Sequence, residues 1–295
     1  MTPPRRRACL VVPGSAVAKL AKAPALGADE IVIDLEDAVV PGAKDAARAA
    51  VVAALAQLEW GAATVAVRVN APRTPWCHQD LAALAVAPGP LRSVVLPKVE
   101  GAGDVAFAER LLDGAEAAAG VRAAPLRLQA LVETARGVAQ VGETAGASAR
   151  METLIVGYAD LALSLGRSAA GAAELALWDP VREAVLLAAR THGLQAIDGP
   201  HLGIAVDDAF IAGAQRARDQ GFDGKWAIHP AQLAALRERF APGENELAHA
   251  RAVLDALAAA ERDGGQGAVA LDGQMLDAPV RLAALRVLAA AGEGA

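Results

Sequence analysis

The chain has 295 residues, 54% of them hydrophobic but only 3% aromatic, with a formal net charge of −6. That length suits one large domain or two ordinary ones, and an acidic balance with no basic block beyond Arg5-Arg6-Arg7 disfavours nucleic acid as a partner. No run reaches about 18 uninterrupted apolar residues, which argues against a membrane span. Cys9 and Cys77, the two cysteines, neither staple a small fold nor form a zinc cluster, so a reduced, cytoplasmic setting is expected.

Along the chain, short β-branched runs alternate with longer amphipathic ones. The run ACLVV (8–12) stops at Pro13-Gly14, too early for the core of a secretory signal, and a helical pattern follows at 15–23. EIVIDL (30–35) leads into an Ala-rich helix at 43–58, TVAVRV (64–69) into 77–86, and SVVLP (93–97) into 101–119. RLQALV (127–132) leads into 136–147, ETLIVG (152–157) is followed at a distance by 179–192, LQAID (194–198) by 207–220, and KWAIH (225–229) closes the series. Asp179-Pro180 reads as a helix N-cap with Pro at the first helical position, and Gly193 as a helix stop. Gly101 and Gly103 mark a loop entering the helix at 101–119.

Eight strands alternating with helices predict a closed parallel (β/α)8 TIM barrel over residues 1–230. A doubly wound open sheet is the alternative, because strand number alone does not prove closure. Beyond Pro230 the pattern changes. Residues 231–262 read as one or two helices broken at Pro242-Gly243, GGQGAVALDGQMLDAPV as a loose hairpin or flap, and 279–290 as a closing helix. Residues 231–295 are therefore expected to form a C-terminal helical extension and lid.

In such a barrel the chemistry sits at the C-terminal ends of the strands. The groups there are Glu36 and Asp37, Arg68 and Asn70, Lys98, Glu133, Asp160, Asp198 and His229. Glu133 and Asp160 are lone acids following apolar runs, and two convergent carboxylates with room for water and substrate suit Mg²⁺. Arg68 supplies a fixed cation for a carboxylate or enolate, so a small oxo- or hydroxy-acid anion is the expected substrate class.

Plainer readings stand beside these. Asp160 could be an N-cap, whereas Glu caps poorly and Thr134 would serve better than Glu133. Glu36 and Asp37 could simply pair with Arg68 or Lys98. His229 reads better as a backbone hydrogen-bonding group than as a ligand, and Trp226 better as core than as a platform. Ser15 lies outside any G-x-S-x-G elbow, and the GxGxxG, P-loop, HxxxH and CxxC patterns are absent.

The stretches RRACLVVPGS, LGADEIVIDLEDAVVPGAKDAAR, VAVRVNAP, SVVLPKVE, LQALVETARGV, LIVGYADLALSLG, GLQAIDGP, GFDGKWAIHPAQ and GQMLDAP run in order over nearly the whole chain. Together they resemble the citrate lyase β-subunit-like group of the HpcH/HpaI aldolase superfamily, which includes malyl-CoA and citramalyl-CoA lyases. The resemblance implies a Mg²⁺-dependent TIM barrel that cleaves or forms a C–C bond in a 3-hydroxyacyl-CoA, giving acetyl-CoA and a 2-oxo acid. It implies metal ligation by Glu133 and Asp160, substrate contact by Arg68, and an acid/base role for Asp277, delivered to a neighbouring subunit's site. Glu36 and Asp37 fall among the catalytic candidates. CoA contacts are implied for Arg7, Lys19, Lys22, Trp226 and Ile228. The implied partners are an acyl-CoA and a small 2-oxo acid, with a homo-oligomer, trimer or hexamer, as the assembly. Alternatives are a citrate lyase β subunit acting on the citryl thioester of an acyl carrier, malate-synthase-like or thioesterase-like chemistry on the same substrates, a CoA-free aldolase, and a non-catalytic CoA-binding regulator. Thr74-Pro75, where the family often has Gly-Thr before the Trp, is a departure, and the small residues of SAAGAA do not fix the acyl specificity.

Overall fold

A computed structural model of the chain describes residues 4–120, 124–168, 175–262, 269–271 and 273–292. Eight parallel strands, β1 (Ala8–Pro13), β2 (Glu30–Asp34), β3 (Thr64–Arg68), β4 (Leu91–Leu96), β5 (Arg127–Val132), β6 (Met151–Val156), β7 (Gln195–Asp198) and β8 (Gly224–Ala227), hydrogen-bond in chain order. Pairing of β1 with β8 closes the ring, so the fold is the barrel and not the open sheet. Both faces of these strands are covered, which is why β2 and β6 are buried at every position and carry consecutive apolar residues, Ile31-Val32-Ile33 and Leu154-Ile155-Val156.

One residue from each strand (Cys9, Val32, Ala66, Val95, Leu131, Ile155, Ile197 and Trp226) packs into a single buried layer inside the barrel. Because side chains alternate along a strand, residues two positions later share that inward phase and lie toward the C-terminal mouth. Asp34, Arg68 and Glu133 are three of them. Below the apolar layer, at the N-terminal end, Arg6 donates to Glu30 Oε1 at 2.8 Å and also contacts Gln195 and Glu152. Gln129 joins the same network, donating to Glu30 at 2.9 Å and Ser93 at 2.8 Å.

The surrounding helices are α1 (Val17–Lys22), α2 (Lys44–Gln57), α3 (Cys77–Ala85), α4 (Ala102–Ala119), α5 (Ala135–Ala139), α6 (Val141–Ala145), α7 (Tyr158–Ser164), α8 (Asp179–Thr191), α9 (Asp208–Gln220) and α10 (Gln232–Arg239). The Ala-rich α2 buries Ala47, Val51 and Leu55 at helical spacing. Three details differ from the sequence reading. The helix expected at 136–147 is two short ones, because Gln140 departs from helical geometry (φ −106°, ψ 11°). The seven-residue α7 has too few turns to announce itself by periodicity. At the start of α8 the cap is Trp178, and Asp179 instead accepts from Arg216 at 3.0 Å and Gln220 at 2.9 Å. Gly193 does take the left-handed conformation, φ 67°, just past that helix.

The chain divides into two compact units, Met1–Arg237 and Glu238–Ala295. In the second, α11 (Glu244–Arg262) and α12 (Ala278–Ala291) enclose Ala250, Val253, Leu276 and Ala284 with Leu254, Leu257 and Val287 packed on them. Between the helices β9 (Val269–Leu271) and β10 (Gln274–Leu276) pair antiparallel, the hairpin expected there. Among the described residues no helix is long and apolar enough to cross a membrane.

Candidate active site at the C-terminal mouth

Strand β2 ends in Asp34, whose carboxylate takes a bidentate bond from the end of β3: Arg68 Nε to Oδ1 at 2.7 Å and Nη2 to Oδ2 at 2.6 Å. The backbone amides of Glu36 and Ala38 also donate to Asp34. This fork locks two of the three guanidinium nitrogens and leaves Nη1 turned to Glu36 Oε2 at 3.1 Å and Asp37 Oδ2 at 3.2 Å. Burial works against the Arg68 charge, but the Asp34 bonds and the fields of Asp34, Glu36 and Asp37 outweigh it and hold its pKa above the usual value. Its guanidinium carbon lies 5.9 Å from the centroid of the Trp226 ring, which floors the site.

Past β4, Lys98 adopts φ 52°. Its backbone amide donates to Glu133 Oε1 at 2.9 Å, and its ammonium reaches Glu36 Oε1 at 2.6 Å, Asp160 Oδ2 at 3.2 Å and Asp37 Oδ1 at 3.5 Å. Burial opposes that charge too, yet the hydrogen bond with Glu36 and the nearby carboxylates raise its pKa.

Glu133 follows β5 and is 3% exposed. Burial first, and then the proximity of Glu36, pushes its carboxyl up to about 8, with Asp160 adding to the effect. Glu36 is raised for the same leading reason, and its buried Oε2 has only the 3.1 Å ion-pair contact with Arg68 Nη1, outside hydrogen-bond geometry. The pocket is thus short of positive charge. Its donors are hard carboxylate oxygens, the ligands Mg²⁺ takes together with water and substrate oxygens. Gly157 makes room for this arrangement, since a Cβ there would sit 2.6 Å from both Glu133 Cβ and Oε2. Among the described residues no cluster of three or more His, Cys, Asp or Glu side chains could hold a metal by protein ligands alone.

Asp160 lies in the first turn of α7, whose cap is Gly157, so its carboxylate is not an N-cap. Thr134 does cap α5, accepting from Gly137 at 2.9 Å. The pairing reading of Glu36 and Asp37 holds geometrically, since both engage Arg68 and Lys98, and that pairing places them on the mouth.

Other rim candidates turn away. Asn70 donates to Asp80 of α3 at 2.6 Å. Asp198 is out of phase with inward-facing Ile197 and lies behind the sheet, bound by Lys225 and Tyr158. Exposed His229 accepts a bond from the Ala231 amide at 3.3 Å. Among the residues implicated in CoA contact, Lys19 and Lys22 are exposed on α1, and Ile228, just past β8, is 38% exposed. Two others are corrected by position. Arg7 enters β1 from the opposite end of the barrel, where Asp29 takes its guanidinium at 2.8 and 2.9 Å, and Trp226 is 3% exposed in the interior layer. Asp277 caps α12 in the second unit, accepting from Val280 at 3.1 Å.

Asp34 went unread in the sequence. Its signal was a charge in phase with Val32, as Glu30 is, closing the apolar stretch Ile31-Val32-Ile33.

An eight-stranded parallel barrel with a buried arginine and paired carboxylates at its C-terminal mouth defines a TIM-barrel enzyme of anionic substrates. The HpcH/HpaI aldolase/citrate lyase family model matches residues 7–230, and the chain belongs to that family. An L-malyl-CoA/β-methylmalyl-CoA lyase of Cereibacter sphaeroides is 36% identical over 93% of this chain and 92% of its own. A (3S)-malyl-CoA thioesterase of the same organism is 36% identical over 92% and 89%. The crystal structure of the protein CitE from Mycobacterium tuberculosis, in complex with magnesium, acetoacetate and coenzyme A, superposes with a TM-score of 0.77 at 35% identity, covering 98% of this chain and 99% of that one.

Proposed function

We propose that this protein is a Mg²⁺-dependent carbon–carbon lyase that cleaves, or forms, a 3-hydroxyacyl-CoA such as malyl-CoA or citramalyl-CoA, with acetyl-CoA and a 2-oxo acid on the other side of the reaction. The observation that supports it is that Lys98 contacts both Glu133 and Asp160, while Glu36 and Asp37 bridge Lys98 to Arg68 at the same mouth. Glu133 and Asp160 would hold the ion. When bound, Mg²⁺ supplies a Lewis acid and a template for the hydroxyl or oxo oxygen and its neighbouring carboxylate.

The chain's own groups do the rest. Arg68, fixed by Asp34, presents Nη1 to oxyanion charge as it develops, at no cost of reorientation. Glu36 and Asp37 act through Arg68 and Lys98, holding both cations over the substrate. On cleavage the hydroxyl proton passes to water, from which Asp277 is later reprotonated, and the C–C electron pair passes to the carbon next to the thioester. Asp277, reaching from a neighbouring subunit, gives that carbon its proton. In the forming direction it removes one. On this reading the C-terminal extension, residues 231–295, is a lid shared within a homo-oligomer, a trimer or hexamer. Lys19, Lys22 and Ile228 remain suited to CoA, the lysines to its phosphates; Arg7 and Trp226 are not retained.

The test is a panel of hydroxyacyl-CoA thioesters with Mg²⁺ and product identification. Acetyl-CoA plus a 2-oxo acid is the expected outcome. Free hydroxy acid plus CoA would instead mark a hydrolase, a reading favoured by the thioesterase among the relatives. Glu133→Ala or Asp160→Ala should abolish Mg²⁺-dependent cleavage with the fold intact, and EDTA-insensitive turnover would reject the metal assignment.

A further inference from the structure

Lys98 touches both carboxylates to which the ion is assigned, with its main chain on one and its ammonium on the other. Among the described residues it is also the one non-glycine residue with a left-handed backbone. Such conformations persist only where the surroundings over-determine them. Here the hydrogen bond from the Lys98 backbone amide to Glu133 Oε1 at 2.9 Å and the ammonium contacts to Glu36 at 2.6 Å and Asp160 at 3.2 Å do so. A Mg²⁺ ion sits about 2.0–2.1 Å from its ligand oxygens. It cannot share Asp160 Oδ2 with an ammonium without strong repulsion.

We propose that Lys98 is the resident counter-cation of the mouth. It holds Asp160 and Glu36 in the ion-free protein, surrenders Asp160 to the divalent ion, and keeps the affinity for that ion low until an anionic oxo acid shares the charge. The inference rests on the assignment of the ion to Glu133 and Asp160. Arg68 does not play this part, because Asp34 already neutralises it through a bidentate bond. Lys98 has no such dedicated partner. Its contacts are spread over three carboxylates, two on the loop after β2 and one on α7, and at 32% side-chain exposure it has room to withdraw.

A unit charge within about 5 Å of a divalent one changes binding by about tenfold even at the dielectric constant of water. Titration of the full-length protein with Mn²⁺, followed by the paramagnetic resonance of the free ion, reads this without turnover. Lys98→Met and Lys98→Gly should each bind Mn²⁺ at least about tenfold more tightly than the parent. The glycine variant accepts the left-handed backbone without strain, so it separates loss of charge from loss of conformation. Unchanged or weaker binding by Lys98→Gly overturns the proposal. Glu133→Gln tests the underlying assignment separately: it should lose Mn²⁺ binding, and parent-like binding there would show that the ion lies elsewhere, whatever the Lys98 variants do.

Discussion

Gly157 shows at the scale of single residues how closely the mouth is fitted. Its backbone, φ −110° and ψ 97°, would suit alanine, so the constraint comes from the Glu133 side chain standing where a Cβ would go. Gly157→Ala should therefore displace Glu133 and reduce Mg²⁺-dependent turnover nearly as far as removing the carboxylate, while overpacking costs only about 1–3 kcal/mol of stability. Rate and thermal unfolding measured together check this; an active Gly157→Ala enzyme would show that Glu133 need not stand where it does. The residue types at the mouth were legible in the sequence, because charge directly after an apolar strand is a local signal. Their partners were not. Asp34 looked like part of a strand, and only its bidentate bond to Arg68 reveals it as the group that aims the guanidinium.

Elements decide which candidates converge. Helix α7, too short to be seen by periodicity, carries Asp160 and is tied to the barrel wall by Tyr158, whose hydroxyl donates to Asp198 and accepts from Arg182 at 2.6 Å. Burial first, then the Asp198 charge, raises the Tyr158 pKa and keeps that hydroxyl protonated as a donor. The Asp198 expected on the rim thus supports the site from behind the sheet. Helix α12 raises a different question, since Asp277 both caps it and is assigned the proton. Asn caps as well as Asp, so Asp277→Asn should leave unfolding nearly unchanged while proton transfer falls by about 10²–10⁴. Asp277→Ala should lose the cap as well, at about 1 kcal/mol. A fully active Asp277→Asn protein would remove this residue from the reaction.

The whole molecule depends on barrel closure. The Arg6 side chain ties the entry of β1 to Glu30 of β2, Glu152 of β6 and Gln195 of β7, spanning the N-terminal end. Burial opposes its charge, but Glu30 and Glu152 raise its pKa, so it stays an ion. Arg6→Met would leave Glu30 buried without its counter-charge. A loss of about 3–5 kcal/mol in denaturant unfolding is expected, with little effect on the rate per folded molecule, because the network lies at the far end from the mouth. Assembly has its own test. If Asp277 serves a neighbouring subunit, inactive Arg68→Ala and inactive Asp277→Asn proteins mixed under conditions of subunit exchange should regain activity, because some mouths then combine an intact Arg68 with an intact Asp277. No recovery, with exchange verified by mass, would confine Asp277 to its own chain.

The sequence by itself determined the alternation of strands and helices, the polar groups at strand ends and the hairpin between the last two helices. These follow from periodicity and from chemistry within a few neighbouring residues. Only the tertiary structure decided that the sheet closes, that Asp34 and Arg68 face inward while Asp198 and Asn70 turn away, and that Arg7 belongs to the opposite end. The direction of a side chain depends on its phase against strands tens of residues distant, and that phase exists only once the barrel has set its register.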